Sequence, residues 1–95
     1  MKVIFSSQAK SDLLEITRYI TKDKPRAARN WADNIKNSVL KLSAFPRLGR
    51  IVPEYSDDSI RELIQGNYRI VYKIVEANEN IVIVTVHYLK RQLTN

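Results

Sequence analysis

The sequence predicts an α+β fold, with an N-terminal strand and an antiparallel helical hairpin packed on a small, mainly antiparallel β-sheet. Three observations predict it. From Ser7 to about Ala44, apolar residues recur every three or four positions, with one break at Pro25. From Ile60 to Tyr88 the chain changes to short β-rich runs separated by turn residues. A short link between two amphipathic helices implies an antiparallel pair, and only the later sheet is available for their apolar faces to cover.

Lys2 to Phe5 is a short β-prone run. Ser6 and Ser7 offer hydroxyl N-caps for the first helix, which runs to about Lys22. Ala9, Leu13, Ile16 and Ile20 form its stripe. Leu14 and Tyr19 lie off that stripe and are expected to flank the core or pack on the next helix, with an exposed partner contact as the alternative. Pro25 suits the first turn of a second helix, where its missing N–H is not needed. That helix places Ala28, Trp31, Ala32, Ile35, Val39 and Leu42 on one face, with Trp31 as a core anchor. Pro46 stops it and Gly49 permits a turn. A connection without periodicity is expected from there through Ser59, carrying Arg47, Arg50 and Glu54.

Three strands follow: Ile60 to Ile64, Tyr68 to Glu76 and Ile81 to Tyr88. Gln65-Gly66-Asn67 and Ala77-Asn78-Glu79-Asn80 are the turns between them. Alternation puts Tyr68, Ile70, Tyr72 and Ile74 on a core face, and Arg69, Val71, Lys73 and Val75 on a half-polar one. The last strand is apolar on both faces and is expected to be central. The tail from Leu89 to Asn95 is polar.

With 95 residues the expectation is one domain, 1–95. A chain of this length buries roughly 60–65% of its unfolded surface, so the core is modest. The absence of Cys removes disulfides, thiolate catalysis and thiolate metal sites, and suits a reducing cytoplasm. No run is long enough to span a membrane, and the first residues are too short an apolar run for a signal peptide. The net charge of +6 points to an anionic partner: nucleic acid, a ribosome or an acidic protein segment.

The residues also limit the chemistry. There is no phosphate-cradling glycine loop, no nucleophile elbow and no ligand spacing for a metal, and no cofactor is expected. A metal-free route to RNA cleavage remains, in which a 2′-hydroxyl attacks the adjacent phosphorus. It needs a base, an acid and a cation for the crowded transition state. Arg61, Arg69 and Arg91 are candidate cations, and His87 is the natural base or acid. Tyr88 or Glu54 is the candidate second proton-transfer group, and Tyr88 is also placed to stack on a base.

Ala9-x-x-Asp12-Leu13-x-x-Ile16-x-x-Tyr19-Ile20, Pro25-x-Ala27-Ala28 and Pro46-x-x-Gly49-Arg50-x-Val52-Pro53-Glu54 occur in order. Arg61-Glu62-Leu63, Asn67-Tyr68-Arg69-Ile70-Val71-Tyr72 and Val86-His87 through Lys90-Arg91 follow. In this order and spacing the chain resembles the RelE/ParE superfamily of toxins from type II toxin–antitoxin modules, over almost its whole length. The resemblance implies a growth inhibitor silenced by a cognate antitoxin that folds on binding and is often acidic.

Two branches are implied. A RelE-like protein is a ribosome-dependent mRNA endonuclease, with Arg69, His87 and Tyr88 as its catalytic residues here. A ParE-like protein inhibits DNA gyrase by binding it, with Arg50, Arg61, Lys90 and Arg91 as target or phosphate contacts here. The long hairpin, the Pro-x-x-Gly-Arg loop and Arg-Glu-Leu resemble the ParE-like branch, which is favoured. The lysine pair of the best-known nucleases is missing, since its positions fall near Ile60 and Glu62. A basic nucleic-acid-binding module without toxicity is the third reading.

Overall fold

The computed structural model describes residues 1–89. Its elements are β1 (Lys2–Phe5), α1 (Ser7–Asp23), α2 (Pro25–Ala44), β2 (Arg50–Ile51), β3 (Ile60–Gln65), β4 (Tyr68–Val75) and β5 (Asn80–Tyr88). Among the described residues the strands form one sheet of five, in the order β1-β5-β4-β3-β2. β1 lies parallel to β5, and the other pairings are antiparallel. β5 is an interior strand as expected, but the middle place belongs to β4.

The helices form where the caps and periodicity place them. The Ala9 N–H donates to Ser6 Oγ at 3.0 Å, so Ser6 is the N-cap of α1. Lys24 ends α1, and Pro25 opens α2 immediately after it. The hairpin covers one face of the sheet. Ala9, Trp31, Ile35 and Leu42 pack there with Ile70, Tyr72 and Ile74 of β4 and Ile81, Ile83 and Val86 of β5. Ala32 is exposed, contrary to the sequence pattern, and Ser38 is buried instead. The true stripe on α2 runs through positions 31, 35, 38 and 42. A serine is tolerated on it because its hydroxyl donates to Gln65 Oε1 at 2.8 Å. Leu14 and Tyr19 are largely exposed, and Tyr19 lines a shallow pocket with Tyr68 and Tyr88 of the sheet.

The segment expected to be irregular contains β2 and the fully buried Val52, whose N–H donates to the Ile60 carbonyl at 3.3 Å. Val52 and Val71 are buried outside the helix-side core, so the second sheet face is less wet than its alternation suggested.

The register of β5 contains one irregularity that decides which side chains reach that face. Tyr72 pairs with Ile83 and Val71 with Thr85, leaving Val84 as the extra residue of a bulge. Beyond it Val86 turns into the core, and His87 lies opposite Arg69. Asp12 of α1 clamps the bulge. Its Oδ2 accepts from Thr85 Oγ1 at 2.6 Å and from the Val86 N–H at 3.0 Å. Burial pushes the Asp12 carboxyl up, but the hydrogen bonds from Thr85, Val86 and Gln8 outweigh it and hold the group below its ordinary value. Asp12→Ala strands the Val86 N–H and is expected to cost about 1–3 kcal/mol in urea unfolding. Chemical shifts in β5 should move with it, and an unchanged unfolding midpoint would count against the clamp.

Candidate functional site

The sheet face away from the helices carries a groove of about 550 Å³. Arg50, Glu54, Glu62, Ile64, Arg69 and Leu89 line it with Pro53. Strand pairing explains how distant residues meet here. Arg50 is opposite Glu62, Ile64 is opposite Arg69, and Arg69 is opposite His87. Cross-strand partners share a face, so Arg50, Glu62, Ile64, Arg69 and His87 all stand on the groove side.

Glu62 is the hub. It is 5% exposed, and its two carboxylate oxygens accept from the Nε groups of Arg50 and Arg69. Burial alone would push its carboxyl up. The hydrogen bond from Arg50 and the charge and hydrogen bond of Arg69 outweigh that and hold it below the ordinary glutamate value. The Arg69 side chain is 22% exposed and that of Arg50 is 74% exposed. Arg69 is therefore the inner of the two arginines, and Arg50 is the outer one.

A second set of bonds positions β2. The Tyr72 ring is fully buried on the helix side of the sheet, and its hydroxyl reaches the connection before β2. It donates to the Pro46 carbonyl at 2.7 Å and accepts from the Gly49 N–H at 2.8 Å. A Cβ on Gly49 would lie 2.5 Å from the Glu62 carbonyl oxygen and 2.7 Å from the Tyr72 hydroxyl. Close approach, rather than a special φ, is what requires glycine here. Arg61 braces the same connection. Its Nη1 donates to the carbonyls of Gly49 at 3.0 Å and Arg47 at 3.4 Å, and its Nε donates to that of Asp58 at 3.2 Å.

The sequence candidates thus fall into separate places. Arg50, Arg69 and Glu54 meet in the groove, with His87 on the adjoining strand. Arg61 is turned to backbone carbonyls outside it, and Arg47 pairs with Glu76 at 3.1 Å. Tyr88 is on the opposite face from His87. It pairs with Tyr68, and their ring centroids are 5.2 Å apart on the helix side. Lys90 and Arg91 lie outside the described residues. Two residues central to the site, Glu62 and Tyr72, were not singled out by sequence as site residues. The signal for Glu62 was a carboxylate between Ile60 and Ile64 on one strand face. Among the described residues, no group of three or more His, Asp or Glu has the geometry to hold a metal. No described helix is long and apolar enough to cross a membrane.

A helical hairpin on one face of a five-stranded sheet is a fold shared with solved toxin structures. A solved structure described as the chromosomal ParDE toxin–antitoxin system of P. aeruginosa superposes with a TM-score of 0.76 at 17% identity, covering 95% of this chain and 97% of that one. The RelBE2 toxin–antitoxin complex of Mycobacterium tuberculosis matches with a TM-score of 0.64 at 25% identity, over 92% and 88% of the two chains. Isolated E. coli RelE toxin matches with a TM-score of 0.64 at 15% identity, over 96% and 86%. Among curated proteins, none matches the sequence significantly. Residues 3–93 match the family described as ParE toxin of type II toxin-antitoxin system, parDE, and the chain belongs to that family.

Proposed function

We propose that this toxin arrests growth by binding DNA gyrase, and that it does not cleave RNA. The observation that carries the reading is the state of Arg69. A nuclease needs that guanidinium available to a phosphate whose negative charge grows in the transition state. Here it is bound to a buried carboxylate, and among the described residues the groove's two arginines are matched by two glutamates, Glu54 and Glu62. Such a groove offers little net field to a phosphate. The acid–base pair is also split, since His87 and Tyr88 stand on opposite faces. The family match supports the same branch. The partner that silences it is a cognate antitoxin, as in the toxin–antitoxin complexes it superposes on, and the +6 charge suits an acidic segment.

His87→Ala is the discriminating variant, because His87 is exposed. Arg69→Ala strands a buried carboxylate and loses activity under either reading. With the toxin induced alone, His87→Ala should still arrest growth with mRNA intact, and the DNA-damage response should rise with filamentation. A general acid or base would instead lose about 10²–10⁴-fold on the same change. Replacing Lys90 and Arg91 together should weaken inhibition of gyrase supercoiling by the purified protein. Rapid mRNA cleavage that His87→Ala abolishes would overturn the reading in favour of a ribosome-dependent nuclease.

A further inference from the structure

The groove does not account for the chain's charge, because among the described residues its arginines and glutamates are matched. The excess sits at the tip of the helical hairpin. Residues 18–29 hold five cations, Arg18, Lys22, Lys24, Arg26 and Arg29, against one carboxylate, Asp23, a net +4 of the chain's +6. We infer that this tip docks on the phosphate backbone of duplex DNA, the DNA held by the toxin's target enzyme. The source of the duplex rests on the gyrase reading, and the contact itself does not.

Two stretches of helix build the patch. Arg18 and Lys22 stand opposite the Ala9, Leu13, Ile16 and Ile20 stripe of α1, and Arg26 and Arg29 stand opposite the buried stripe of α2. All four are exposed. Packed helices lie roughly 8–10 Å apart, so the two pairs form one patch on the scale of a DNA groove, which is about 12 Å wide.

Nothing in the fold uses these charges. Among the described residues none of the five cations has an ion pair or a side-chain hydrogen bond, and neither Asp23 nor Asp33 answers them. Lys22 suits the C-terminal end of α1. Arg26 opposes the dipole of α2, whose first turn has no acid and no side-chain cap. Arg18 and Lys22, four residues apart on α1, repel each other. Folding alone disfavours this arrangement, and an anionic partner reverses the sign of each cost.

The tip also selects the kind of anion. No large apolar side chain is exposed between Ile20 and Val39. An acidic segment that folds on binding needs apolar burial to offset the entropy of its ordering. A duplex is already ordered, carries one charge per about 1.7 Å of its axis, and releases condensed counterions when cations neutralise it. Arginine, which supplies three of the five cations here, meets phosphate with two parallel hydrogen bonds.

The test compares two triple variants of equal charge in the full chain. One carries Arg18→Gln, Arg26→Gln and Arg29→Gln. The other carries Lys2→Gln, Lys10→Gln and Lys41→Gln, at the far end of the hairpin. All six residues are exposed, and a urea midpoint no lower than that of wild type confirms that each variant is folded. Binding to a short fluorescein-labelled duplex of mixed sequence is followed by anisotropy over a range of salt concentrations. The tip triple should flatten the slope of log affinity against log salt by about 3, roughly one per lost phosphate contact, and weaken binding at least about tenfold at low salt. The far-end triple should change that slope by less than about 1. Inhibition of gyrase supercoiling should need more of the tip triple than of wild type. Equal losses from the two triples, or a loss confined to a polyglutamate peptide titrated in place of the duplex, would overturn the inference. So would undiminished gyrase inhibition by the tip triple. Absence of gyrase inhibition by the wild-type chain would sink the proposed function and leave the DNA result standing.

Discussion

Glu62→Ala lowers stability by about 1–3 kcal/mol, because it leaves the largely buried Arg69 guanidinium without its carboxylate partner. That is a large fraction of the roughly 5–15 kcal/mol that holds a domain of this size together. Most of the effect comes from Arg69. Arg50 is exposed enough for water to replace its partner. The replacement of both inner charges therefore behaves differently from the loss of one. Glu62→Leu with Arg69→Leu together should recover most of the lost stability, since apolar pairs of similar volume are often as stable as the ion pair they replace. Urea unfolding of the single and double variants measures this. A single variant within about 0.5 kcal/mol of wild type would show that water already reaches the pair.

Glu62 also sets part of the acid limb of stability. Its folded carboxyl titrates below the ordinary value, so its contribution is complete above the unfolded value of about 4.3 and disappears as pH falls through the folded one. Stability of Glu62→Gln should consequently depend less on pH over that interval than stability of the wild type.

Gly49→Ala is the second large effect, at about 2–3 kcal/mol. The added methyl meets the backbone oxygen of Glu62 and the hydroxyl and ring of Tyr72, none of which is a flexible side-chain end. β2 has to move, and Arg50 then moves away from Glu62. Tyr72→Phe should cost about 1–3 kcal/mol, because it leaves the Pro46 carbonyl and the Gly49 N–H without their partner. It also removes one of the atoms the methyl would strike. The two substitutions are in contact, so their combined cost should fall short of the sum. Strict additivity would mean that the Glu62 oxygen alone accounts for the clash.

The sequence was most legible where structure is local. Helical periodicity, the serine cap and Pro25 placed both helices within a residue or two, and alternation assigned the faces of β4. Recurrent residues in a fixed order carried the family. The two-residue β2 was not legible, since its strand character comes entirely from pairing with Arg61 and Glu62. The roles of Glu62 and Tyr72 depend on contacts across 7 to 26 positions, which no window of neighbours contains. Arg61 looked like Arg69, a basic residue on a strand, until the sheet showed one turned to carbonyls and the other to a carboxylate.

The extra residue at Val84 has a consequence for comparing this protein with its relatives. Were β5 to run straight, Val86 rather than His87 would stand opposite Arg69, and the histidine would lie beneath the helices beside Tyr68. The same letters would then display a different surface. Identical residues in two homologous chains correspond in space only if both chains place the irregularity at the same rung. An alignment that ignores it exchanges inside for outside over the end of the strand. Asp12, a carboxylate on a helix that never touches the groove, keeps the count.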